Sequence, residues 1–204
     1  MSVKNITQKT ANNYAFIDSQ NLNLGVRIDV SNHKGVDIYE GHKLDYKKFR
    51  NYLRTKYDVK QAYLFIGFIA SNNKLYTYLQ SVGYTLVFKT VTSYIDASGK
   101  EINKGNVDTD LVLYSAAILY KDYDQAVFVS GDGDFLSLYD YISQNNKLLR
   151  ILVPNRHRYS KLLNNYRNKL GFVSDIKPLL KPIKKTRSDG RLKTLGLPGH
   201  GDTI

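Results

Sequence analysis

The 204-residue sequence predicts an α/β fold, a doubly wound and mostly parallel central sheet of about five strands. Three observations predict it. Short, strongly apolar runs recur along the chain without polar alternation, as strands covered on both faces require. Stretches with helical periodicity separate them. Acidic residues stand immediately past the ends of two runs, where sheets of this kind keep their ligand sites.

The elements follow in order. "YAFIDS" (14–19) is the first strand. The stretch 23–42, "NLGVRIDVSNHKGVDIYEGH", is long and polar for a connection, and an insertion beside a site can act as a lid or block it. A helix is expected over 45–57, then the strand "AYLFIGFI" (62–69), a helix over 72–82 and the strand "YTLVFKT" (84–90). A helix over 108–121 leads to the strand "AVFVSG" (126–131), a helix over 135–145, the strand "LLRILVP" (148–154) and a last helix over 159–169. Residues 1–12 and 184–204 lack apolar periodicity and read as a disordered lead and a basic flexible tail around one domain spanning 13–183.

Thirty Lys and Arg against eighteen Asp and Glu give a net charge of +12, which attracts polyanions and makes nucleic acid the leading partner. Seventeen tyrosines and eight phenylalanines offer stacking surfaces for unpaired bases, although most such residues serve the core. With no cysteine, disulfides, thiolate metal sites and cysteine nucleophiles are excluded. No run approaches the roughly 20 apolar residues of a membrane span. The start, "MSVKNITQKTANN", has no apolar signal core, so a cytoplasmic setting is expected.

The chemistry concentrates in aspartates. Asp18 ends the first strand, and Asp132 and Asp134 follow the fourth in "VFVSGDGDF". A tight turn explains the last pair blandly: Gly131 and Gly133 supply backbone freedom, and Asp caps the next helix. Asp108 and Asp110 fall in the first turn of "NVDTDLVLYSAAILY", where acids complement the helix dipole. Counting from Asp108, positions 111, 115, 118 and 119 share its face, so Asp108 lies on the buried stripe while Asp110 points roughly 200° away. A carboxylate on that stripe needs a cation. Asp18, Asp108, Asp132 and Asp134 together would repel one another unless a cation sat among them, and a hard ion such as Mg2+ suits all-oxygen ligands. His33, His42, His157 and His200 show no zinc-like spacing.

"YAFIDSQNL" with Asp18 and Asn21, "KGNVDTDLVLY" with Asp108 and Asp110, and "VFVSGDGDF" with Ser130, Asp132 and Asp134 resemble the three signature segments of NYN domains. Those are PIN-like, metal-dependent ribonuclease folds, three-layer α/β/α sandwiches, and the chain is similar to their bacterial LabA branch. The likeness runs over about 14–176 in the same order; Ser19 stands where glycine is frequent.

The resemblance implies that Asp18, Asp108 and Asp132 hold one or two Mg2+ or Mn2+ ions, with Asp134 completing the cluster and Asp110 a secondary candidate. It implies hydrolysis of phosphodiester bonds without a covalent enzyme intermediate, in RNA ahead of DNA. Asn21 would orient Asp18 or touch the scissile phosphate, or cap the next segment. Lys104, Ser130, Arg156 and Arg158 are candidates for gripping phosphate. Lys184, Lys185, Arg187, Arg191 and Lys193 in the tail would add a salt-sensitive grip, and a homo-oligomer is compatible with all of this.

Two rivals stand beside the nuclease. One is a catalytically silent NYN-fold module for nucleic-acid binding or regulation, against which the retained acids speak. The other is a phosphohydrolase with an aspartyl nucleophile, against which Ser19 and Gln20 speak, because that chemistry expects a second acid two residues after Asp18.

Overall fold

The computed structural model describes residues 11–89, 92–95, 101–104 and 107–182, and of 92–95, 101–104 and 107 the backbone alone. The expected lead up to residue 10, the side chain of Lys104 and the basic tail residues Lys184, Lys185, Arg187, Arg191 and Lys193 lie outside the described residues.

Six strands form one parallel sheet: β1 (Asn13–Asp18), β4 (Val59–Gly67), β5 (Thr85–Lys89), β8 (Ala126–Val129), β9 (Leu148–Val153) and β10 (Leu170–Phe172), in the order β10-β9-β8-β1-β4-β5. Two short antiparallel hairpins stand apart, β2 (Val30–Ser31) with β3 (Asp37–Tyr39) and β6 (Thr92–Ile95) with β7 (Glu101–Lys104). The expected five strands all form, and β10 is the sixth.

Alternation along the central strands sorts the core into two layers. Phe16 and Phe128 face one side with Leu111 of α4 (Val107–Leu113) and Leu138, Tyr139 and Ile142 of α5 (Leu136–Gln144). Ala15, Ile17, Val127 and Val129 face the other. There they meet Leu22 and Val26 of α1 (Ser19–Arg27), Phe49 and Leu53 of α2 (Tyr46–Tyr57), Leu79 of α3 (Asn73–Ser81) and Leu180 of α6 (Lys177–Leu180). The result is a three-layer sandwich. Burying a side chain such as Phe16 or Leu53, both fully covered, contributes roughly 1.5–3 kcal/mol each.

From β1 the chain builds outward to β4 and β5 on one side, and later from β8 to β9 and β10 on the other. β1 and β8 are neighbours whose connections leave in opposite directions, which opens a crevice beyond their carboxyl ends.

Two local features depart from expectation. The helix expected over 108–121 is α-helical only through Leu113 and then makes a π turn, Tyr114–Ile118. Leu111 and Ser115 are buried as periodicity predicts, but the wider turn rotates Ile118 out to 54% exposure. The expected final helix is a kinked 3-10 segment, Lys161–Lys169.

The polar stretch 23–42 is not a loop over the crevice. Its first part is α1, which starts directly after Asp18 with no connecting residue. The β2–β3 hairpin is tied to the other end of that helix, where His42 N and the Tyr39 hydroxyl donate to the Val26 carbonyl. Nine residues of helix put about 13 Å between Asp18 and the hairpin's anchor.

Candidate metal and nucleic-acid site

Asp18 is the innermost of the acids, 5% exposed. It ends β1 and caps α1, its Oδ1 accepting from Asn21 N at 3.0 Å. Burial drives its carboxyl pKa up to about 6, the backbone bond from Asn21 opposes the rise, and the charges of Asp108 and Asp132 add to it. Asp108, half-buried in the first turn of α4, is raised as well, by burial first and then by Asp132, with Asp134 adding to it. Acids from β1, from α4 and from the segment after β8 therefore share one electrostatic neighbourhood.

That segment is shaped by contacts. Neither Gly131 nor Gly133 has a positive φ, so the freedom expected of them is unused. What they supply is clearance: a Cβ on Gly131 would stand 3.2 Å from the Tyr159 Cβ, and one on Gly133 2.3 Å from the Ser160 Oγ. Asp132 turns the chain by accepting from Asp134 N at 3.0 Å, and Ser130 Oγ accepts from Asp132 N at 3.2 Å. No side chain caps α5, so the capping role expected of an aspartate here is absent. Asn21 fastens the segment to α1, its Oδ1 accepting from Gly131 N at 2.8 Å. Asn21 thus joins both sides of the crevice through its backbone N–H and its side chain.

Asp110 faces away from these acids toward a residue that sequence reasoning missed. Lys89 ends β5 at 4% exposure, with Nζ 3.8 Å from the Asp110 carboxylate. Burial lowers its proton affinity, and Asp110, Asp108 and Asp18, in that order, raise it. In "YTLVFKT" a terminal lysine reads as a solvated strand end; only the sequence position, two residues after the inward Val87, hinted otherwise. Tyr139 was missed too. Its hydroxyl is buried without a hydrogen-bond partner, and burial together with Asp18 and Asp132 keeps it protonated.

The expected phosphate-binding residues divide. Ser130 is buried in the turn. Arg156 stacks on the Phe172 ring at 4.2 Å and grips Asp175 through two hydrogen bonds, one of 2.9 Å from Nε. Arg158 is exposed. His42 sits with Tyr39 at the hairpin base, Nδ1 3.2 Å from the tyrosine hydroxyl.

A groove of about 770 Å³ opens beside Asp18, lined by Gln20, Asn23, Arg27, Lys43, Tyr46 and Tyr78 among others. A second, of about 680 Å³, shares Tyr78 and runs along Lys47, Arg50 and Arg54 of α2. Those three lie on one helical face.

The chain matches the family model of the NYN domain over residues 14–170. It belongs to the NYN domain family. A crystal structure of a protein of unknown function from Vibrio parahaemolyticus is similar at a TM-score of 0.59, with 22% identity, over 86% of this chain and 98% of that one. That likeness supports the fold alone. No curated protein matches the chain. Among the described residues no helix is long and apolar enough to cross a membrane.

As a donor set for a hard divalent ion the NYN acids fit in chemistry, being oxygen ligands whose mutual repulsion a cation would relieve. Among the described residues, however, no three His, Asp or Glu side chains are gathered closely enough to grip one ion as they stand. The neighbourhood is electrostatic, without a closed cage.

Proposed function

We propose that this NYN protein, of the LabA branch, is a metal-dependent ribonuclease that hydrolyses phosphodiester bonds at the crevice beyond β1 and β8. The observation that carries the reading is the raised pKa of Asp18, about 6, at a topological switch point where Asp108 and Asp132 add negative charge. Burying like charges together costs stability, and a site that binds a cation is where that cost has a use.

Asp18, Asp108 and Asp132 would hold Mg2+ or Mn2+, with Asp134 beside them. A bound divalent ion supplies Lewis acidity toward a phosphodiester oxygen and a more acidic water. The protein's own parts do the rest. Asn21 holds the Asp132 segment against α1, Asp18 offers Oδ2 to a ligand while Oδ1 stays on Asn21 N, and buried Tyr139 supplies a neutral hydroxyl beneath them. Arg158 is freer than Arg156 to meet phosphate, and the groove past Arg27 and Lys43 to Lys47 and Arg54 suits the flanks of a single strand, with Tyr78 as a stacking surface.

The test is cleavage of labelled single-stranded RNA with Mn2+ or Mg2+, beside EDTA and Asp132→Asn. The expected result is metal-dependent cutting reduced roughly 10²-fold or more in the variant, as when a principal charge stabiliser is removed. A second reading, a silent binding module, draws on the absence of a closed cage among the described residues. RNA retained in EDTA with no cutting in either metal would favour it.

A further inference from the structure

A lysine buried beside five aspartates raises the question of what it is for. The Nζ of Lys89 has no hydrogen-bond partner, and its closest anionic contact, Asp110 at 3.8 Å, lies beyond hydrogen-bonding reach. A buried ammonium with idle N–H groups is held only by a strong anionic field. Here the field comes from Asp110, Asp108 and Asp18. Lys89 and the core residue Val87 are two apart on β5 and face α4, so the strand delivers the charge from the side opposite α1.

We propose that Lys89 is a resident cation standing where a second divalent ion would have to sit, so that the site takes one divalent ion and not two. Paired divalent ions lie about 3.5–4 Å apart and share carboxylates. An ammonium between Asp110 and Asp108 repels a second ion there and occupies the carboxylate that ion would need. The division matches the geometry: Asp108 faces the acids after β8, while Asp110 faces the lysine. The inference rests on the metal-dependent reading above and decides its stoichiometry.

The test is the number of Mn2+ ions bound per full-length chain, read from the free-ion electron paramagnetic resonance signal, for the unmodified protein, Lys89→Met and Lys89→Arg. The expected result is one ion for the unmodified protein and for Lys89→Arg, and two for Lys89→Met, which keeps the volume and removes the charge. One ion in Lys89→Met, with its circular dichroism unchanged, overturns the proposal and leaves the nuclease reading standing. Two ions in the unmodified protein overturn it without any variant, which covers a Lys89→Met chain that does not fold. No ion in any of the three overturns both.

Discussion

Two acidic regions stand on the same edge of the sheet and solve the problem of negative charge in opposite ways. Past β9, Asp175 is 43% exposed at its side chain and paired with Arg156, whose hydrogen bonds hold its carboxyl below the ordinary carboxylate range. Past β1, Asp18 is buried, and its carboxyl is pushed up to about 6. The first region is neutral within itself. The second leaves its charge to be answered from outside, with Lys89 covering only the Asp110 flank. The difference teaches which acids are architecture and which await a ligand: the self-paired acid needs nothing further, and the crowded one does.

The sharpest way to break this comparison is pH. Asp18 holds its proton more tightly folded than unfolded, so between about pH 4 and 6 the unfolded chain releases that proton first and the folded state loses relative stability. For the metal-free protein the loss is on the order of 3 kcal/mol by pH 7, from a shift of about two units, and Asp108 acts in the same direction. Urea unfolding at pH 4 and pH 7 measures it. Asp18→Asn is expected to flatten the slope, and Mn2+ at pH 7 to restore stability in the unmodified protein alone.

A smaller effect is expected at the fastener between the two sides of the crevice. Asn21→Ala removes the acceptor for Gly131 N and leaves a buried donor unpaired, at a cost of about 1–2 kcal/mol. Cleavage is expected to fall with it, because the Asp132 segment is no longer held to α1. Denaturation midpoints and RNA cleavage, measured on one preparation, separate the two effects.

The smallest belongs to the paired region. Asp175 contributes stability above its unfolded pKa and loses it as pH falls through the lowered folded value, the reverse of Asp18. Being exposed, the pair contributes under about 1 kcal/mol. Asp175→Asn is therefore expected to leave RNA cleavage unchanged and shift the melting temperature by only a degree or two. A large loss of cleavage in Asp175→Asn would move the working region toward β9 and Arg156.

The main frame was legible because its strands announce themselves: runs such as "AVFVSG" bury every strand residue from Ala126 to Val129, and no other local structure suits a run so short and so apolar. β10 was not legible. Its three residues include Gly171, where an added Cβ would stand 2.9 Å from a Leu152 methyl, so packing against β9 and not composition makes the strand. The β2–β3 hairpin is hidden in polar sequence because its contacts run to α1. At the site, spacing found Asp18, Asp108, Asp132 and Asp134. The burial of Lys89 and Tyr139 arises from neighbours distant in sequence, and no local pattern encodes it. The glycines of "SGDGDF" were noticed for the wrong reason: the Tyr159 to Leu162 side chains lean on them, a constraint that resides in another part of the chain.

The bond from Gly131 N to Asn21 Oδ1 joins residues 110 positions apart, and β8 pairs with β1 over a similar span. During synthesis the first strand therefore emerges long before its neighbour. A nascent chain stopped short of residue 126 carries Asp18 and Asp108 without Asp132, Asp134 or the fastener that holds them. The crevice is a property of the nearly finished polypeptide, so a truncated translation product would be inert toward RNA however well its first half folds.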